Sequence, residues 1–203
     1  LTFHEYMEQA LHHPDWGYYA SGTVRIDAAE NGGDFITYPH ILAPAFGWML
    51  IEQAYRMWQG MRRAGTLEEG ETFSILEFGG GHGTMAYDML SRARQRAATD
   101  EEWAQFYHAL RYMIGERSPP LRERQEARNA EFGEKFSVVP ADATGLLRSE
   151  HFTPGSMKGL VLSNELLDTF PHHKLIVYPD GDVHVALTLP IVSKALLEEL
   201  PAD

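Results

Sequence analysis

A chain of 203 residues that is 44% hydrophobic and lacks cysteine is long enough for one sizeable core with a small appended lobe, and it excludes disulfides, thiol catalysis and cysteine-based zinc sites. Its 29 acidic against 17 basic residues give a formal charge of −12, which opposes attraction to nucleic-acid phosphates or to an anionic membrane surface. No apolar run approaches the ~20 residues that span a bilayer, and the start, Leu1-Thr2-Phe3-His4-Glu5, has neither the basic nor the apolar region of a signal segment. A soluble, cytoplasmic protein with no nucleic-acid or membrane partner is therefore expected, and the missing initiator methionine suggests a processed chain or a domain of something longer.

Residues 2–11 offer a threonine cap and apolar Phe3, Tyr6, Met7, Ala10 and Leu11 at helical spacing. Residues 12–34, rich in Gly, Pro, Asp and Asn, describe an irregular loop. Helical periodicity returns over residues 44–63 through Phe46, Leu50, Ile51, Ala54, Tyr55 and Trp58, and a polar linker, 64–71, follows. From Phe73 onward, apolar strand candidates at Phe73–Phe78, Leu110–Gly115, Phe136–Val139 and 160–163 alternate with helical stretches at 84–98, 101–108 and 119–132. Such alternation predicts an α/β fold with a doubly wound, mostly parallel sheet. Segments 174–178 and 183–189 flank Pro179-Asp180-Gly181-Asp182 as a β-hairpin, and 191–200 reads as a closing helix. Residues 1–71 are expected to form a helical and loop segment that covers the site, and 72–203 the core.

The strongest chemical signal is Glu77-Phe78-Gly79-Gly80-Gly81-His82-Gly83-Thr84, directly after a buried strand and directly before a helix. Gly79, Gly81 and Gly83 allow a tight turn and close approach of a ligand to bare backbone, and the helix start presents unsatisfied N–H groups. Glu77 stands where it can orient an amino acid moiety. The glycines alternate, so they do not match the G-x-G-x-x-G of a dinucleotide site, and no Gly-Lys-Ser/Thr marks a P-loop. Glu116, after the second strand, is placed to accept from both hydroxyls of a ribose, and Asp142, after the third, to accept from an adenine amino group. Asn164 and Glu165 follow the fourth strand at the edge that faces the crevice of an open α/β sheet. These positions suit S-adenosylmethionine, with Asn164 or Glu165 holding an acceptor or taking its proton.

Together with His13-Pro14, Gly17-Tyr18-Tyr19, Gly33-Asp34-Phe35-Ile36-Thr37, Pro39, Ser118-Pro119, Leu121-Arg122, Gln125 and Asn164 to Asp168 before Pro171, these segments resemble the MidA-type family of class I methyltransferases, which includes the mitochondrial complex I assembly arginine methyltransferase. The resemblance implies a Rossmann-like fold, S-adenosyl-L-methionine as cofactor with S-adenosyl-L-homocysteine as product, and a segment from Gly33 through Asp34 and Thr37 to Pro39 folded over the cofactor. It also raises the mitochondrial matrix as a location.

Two departures bear on the acceptor. The family's Gly-Pro-Gly is Gly79-Gly80-Gly81 here, and the acidic residue usual after the proline of the Asp-Phe-Ile-Thr segment is His40. Carboxylates grip a guanidinium, whereas histidine suits the general base that a hydroxyl needs. The sequence thus favours O-methylation of a small or carrier-tethered acyl intermediate of polyketide type, with His40 or His172 as base and Glu165 assisting. Protein arginine methylation and a binding module without catalysis are the alternatives. Tyr18, Tyr19 and Phe35 are candidates to face a sulfonium. The pairs His12-His13 and His172-His173 invite a metal, but adjacent side chains on a strand point apart, so none is expected.

Overall fold

A computed structural model describes residues 1–26, 31–148, 151–153 and 155–189; the helix expected over 191–200 lies outside them. Helix α1 (Phe3–His12) begins with a capping box, in which Thr2 accepts from the Glu5 amide and Glu5 accepts from the Thr2 amide, together worth about 1 kcal/mol. A four-residue helix, α2 (Tyr38–Ile41), follows inside a segment with no helical periodicity of its own, and leads into α3 (Ala45–Arg63).

The core then alternates as β1 (Phe73–Phe78), α4 (Thr84–Ala97), α5 (Glu101–Ala109), β2 (Leu110–Gly115), α6 (Pro119–Asn129), β3 (Phe136–Val139) and β4 (Gly159–Ser163), with 3-10 turns at Ala130–Lys135 and Ala143–Arg148. Residues 119–132, read as one helix, divide at Ala130 into α6 and the first of these turns. The four strands form one parallel sheet in the order β3-β2-β1-β4. The chain moves outward from β1 to β3 and returns to the far side of β1 for β4. The reversal falls between the carboxyl ends of β1 and β4, where an open α/β sheet leaves a crevice.

The main core joins Phe73 and Ile75 of β1 to Ile51, Ala54 and Trp58 of α3, Met89 and Leu90 of α4, and Trp103 and Phe106 of α5. Helix α3 is therefore part of this core, because its apolar stripe packs there, and the boundary expected at residue 71 runs through one hydrophobic unit. A second cluster joins Val24 and Ile26 to Leu121 of α6, with Tyr18, Tyr19 and Phe35 against it. It anchors Tyr18, Tyr19, Val24, Ile26 and Phe35 against α6. Strands β5 (Leu175–Val177) and β6 (Val183–Val185) form the expected antiparallel hairpin as a separate sheet, exposed throughout. No helix among the described residues is long and apolar enough to cross a membrane.

Candidate cofactor and acceptor site

A cavity of about 1000 Å³ opens at the crevice, walled by the ends of β1, β2 and β4 and roofed by residues of the 12–40 segment. Gly79 has φ of 71°, a left-handed backbone that favours glycine, and a Cβ there would stand 2.9 Å from Leu166 Cδ1, the movable end of that side chain. Gly83, the N-cap of α4 at φ 75°, has no side-chain cap bond. A Cβ on Gly83 would stand 2.7 Å from Asn129 Nδ2. The left-handed backbone and the close packing of α6 both favour glycine here, and Gly83 does not line the cavity.

Glu77 is 3% exposed, lines the cavity, and accepts a 2.8 Å hydrogen bond from the Tyr112 hydroxyl at Oε2. Burial, with the Glu116 charge nearby, pushes its carboxyl up to about 7 against the tyrosine bond. Glu116 is half-buried and accepts from the Ser118 amide at 2.8 Å and from Gln125 Nε2 at 3.3 Å. Burial raises its carboxyl, and these donors and Arg122 oppose the rise. Asp142 accepts from Thr144 and pairs with Arg117 at 3.4 Å. Despite partial burial its carboxyl is held below the ordinary range, the Thr144 bonds and Arg117 outweighing desolvation.

The residues present fit the cofactor. Ser118 Oγ, buried in the cavity wall, has no hydrogen-bond partner among the described residues. A buried hydroxyl of that kind is an open position for a polar ligand. Gly79, Gly81, Glu77, Glu116, Asp142 and Ser118 share one cavity, and the glycine turn provides bare backbone at its wall.

At the other end, Asn164 and Glu165 line the cavity, and Glu165 has φ of 50°. A left-handed glutamate is strained by about 1–3 kcal/mol, a cost typical of functional positions. Its Oε1 accepts weak bonds from the Tyr38 amide at 3.4 Å and Asn164 Nδ2 at 3.3 Å. Asp15 and Asp168 also line the cavity, and sequence reasoning did not select either as a site residue; they lie far apart in the chain, so no spacing relates them. Among the described lining residues Asp15, Glu77, Glu116, Asp142, Glu165 and Asp168 are acidic, and Arg117 is the one lysine or arginine.

His40 lines the cavity, but its ring bridges two hydroxyls, with Nδ1 3.0 Å from Thr37 Oγ1 and Nε2 3.1 Å from Thr84 Oγ1. To act as the expected base it would have to break one of these bonds. His172 lies outside the cavity: its ring packs 5.3 Å from Phe3 and its Nδ1 lies 3.0 Å from the Phe170 carbonyl. Thr37 lines the wall, whereas Gly33 and Asp34 do not. Asp34 instead accepts from Tyr18 at 2.8 Å and pairs with Arg25 at 3.0 Å, which ties the loop to itself. Tyr19 and Phe35 line the cavity and Tyr18 does not. Among the described residues no group of three histidines or acids could hold a metal ion.

Residues 49–196 match a family described as "Putative S-adenosyl-L-methionine-dependent methyltransferase". The chain is 29% identical over 185 residues to the Drosophila melanogaster "Protein arginine methyltransferase NDUFAF7 homolog, mitochondrial", covering 84% of this chain and 37% of that protein. It is 28% identical over 195 residues to the Mus musculus "Protein arginine methyltransferase NDUFAF7, mitochondrial", covering 89% and 40%. A Burkholderia thailandensis structure bound to S-adenosyl-homocysteine shares the fold at a TM-score of 0.58 and 24% identity, over 98% of this chain and 48% of that one. The chain thus spans about two-fifths of the length of these curated relatives. Its sequence, its sheet and its cavity agree: the chain belongs to the S-adenosyl-L-methionine-dependent methyltransferase family whose model it matches.

Proposed function

We propose that the chain holds S-adenosylmethionine in this cavity and methylates arginine side chains of a protein substrate. The observation that carries the acceptor is the acidic lining of the cavity, to which Glu165 and Asp168, after β4, and Asp15 of the roof add carboxylates beyond those read as cofactor residues. A guanidinium is held best by carboxylates, and it retains its charge at every working pH. The names of the relatives point the same way, and they favour arginine over the hydroxyl suggested by His40. For a eukaryotic chain they also favour the mitochondrial matrix.

When bound, S-adenosylmethionine supplies an electrophilic methyl group on a sulfonium. Glu116 would accept from the ribose hydroxyls, Asp142 from the adenine amino group, and the turn at Gly79 and Gly81 would receive the cofactor against backbone. Glu165 and Asp168 orient the guanidinium, and a carboxylate oxygen of Glu165 takes the proton that leaves the methylated nitrogen. Tyr19 and Phe35 close the roof and keep water from the transferring methyl.

Incubation with methyl-labelled cofactor and arginine-containing protein substrates, followed by acid hydrolysis, tests the acceptor. Label is expected in methylarginine, with turnover falling at least ~100-fold in Glu165→Ala while cofactor binding is kept. Label on hydroxyl oxygens would overturn the arginine acceptor.

A further inference from the structure

We propose that Gln125 is a positioning residue for the cofactor, tying the glycine turn to the ribose-binding carboxylate through one buried amide. Gln125 is fully buried on α6. Its Nε2 donates to the Gly81 carbonyl at 2.9 Å and to Glu116 Oε2 at 3.3 Å. A backbone carbonyl can only accept, so the nitrogen must face the turn, and the amide orientation is fixed. One turn later Asn129, also fully buried, donates to the Gly83 carbonyl at 3.1 Å and to the Gln125 carbonyl at 3.0 Å. Neither amide lines the cavity. Both hold, from behind, groups that do or that shape the turn.

The same helix grips the roof: Arg124 donates to the carbonyls of Gly22 at 2.9 Å and Val24 at 3.3 Å. Helix α6 therefore sets the separation of three parts of the site that are far apart in sequence. Gln125 matters most, because it bonds the turn and the carboxylate at once. Without its donor, Glu116 keeps the Ser118 and Arg117 amides of its own loop and the charge of Arg122 on α6, and it still faces the Glu77 carboxylate on β1. Fewer donors then hold it as an anion in a buried setting.

This inference rests on the cofactor assignment, so binding of S-adenosyl-homocysteine by the unaltered protein is measured first. Absence of binding there overturns that assignment itself. Given binding, calorimetric titration across pH 6–8 is repeated with two variants, with thermal unfolding measured alongside. Gln125→Met keeps length but donates nothing, and should weaken affinity about tenfold at neutral pH. Gln125→Glu sets a carboxyl against the Gly81 carbonyl and Glu116, where it fits only while one proton is shared. Its affinity relative to the unaltered protein should recover roughly fivefold or more from pH 8 to pH 6. If Gln125→Met fails to fold, Gln125→Glu carries the test alone. Affinity within about twofold of the unaltered protein in Gln125→Met, or a relative affinity of Gln125→Glu that is flat with pH, overturns the proposal.

Discussion

The two ends of the cavity are built differently. The cofactor end rests on β1, whose residues are almost all buried, and its acids are held by Tyr112, Ser118, Gln125, Thr144 and Arg117. The end proposed for the acceptor follows β4, which is only partly buried; Glu165 and Asp168 are exposed there, and Glu165 is held by long bonds. A cofactor can be met by a preformed wall, whereas the protein acceptor proposed above would need an open one. Cofactor binding should therefore fail through changes in packing, and acceptor recognition through changes in charge.

The largest expected effect is at the cofactor wall. Gly79→Val places a branched side chain against Leu166 at a left-handed φ and should abolish binding of S-adenosyl-homocysteine, a loss of more than ~100-fold in a calorimetric titration. Binding within tenfold would mean that the wall is not preformed.

Glu77→Gln gives a smaller effect, read as stability against pH. Folded Glu77 keeps its proton up to about pH 7, whereas unfolded it releases it near 4.5. Its contribution is thus full below that lower value and is lost as pH rises to about 7. The amide removes the loss, and the unfolding midpoint of the variant at pH 8 should exceed that of the parent by about 5–10 °C, with little difference at pH 4.5. Equal midpoints across this range would show that the carboxyl titrates as if exposed.

His40→Ala gives the smallest effect at the roof. It removes the bridge between Thr37 and Thr84 and should cost about 1–2 kcal/mol of stability, with turnover changed less than about tenfold. A thousandfold loss of turnover at unchanged stability would restore its role as base.

The same contrast explains what the sequence disclosed. The β1–turn–α4 unit is local, so strand pattern, alternating glycines and helix start are adjacent in the chain. Glu116 and Asp142 share one wall because the parallel strands β2 and β3 bring their carboxyl ends together. The acceptor end depends on contacts between distant segments: the Tyr38 amide meets Glu165 across 127 residues. Histidine at position 40 looked like chemistry, but only the fold shows two threonines closing on its ring. Gln125 did leave a trace. Leu121, Gln125 and Asn129 recur every four residues on one face of α6, and amides at positions where helical period calls for apolar side chains mark a buried polar contact. His172 left none that separates it from a catalytic histidine, since its place outside the cavity follows from how α1 packs.

The most direct test of the division into two ends is a calorimetric titration of S-adenosyl-homocysteine into Glu116→Ala and Glu165→Ala, side by side with the unaltered protein. Affinity should fall at least ~tenfold in Glu116→Ala, the carboxylate proposed to meet the ribose hydroxyls, and stay within about twofold in Glu165→Ala. Equal loss in both, or loss confined to Glu165→Ala, would contradict it.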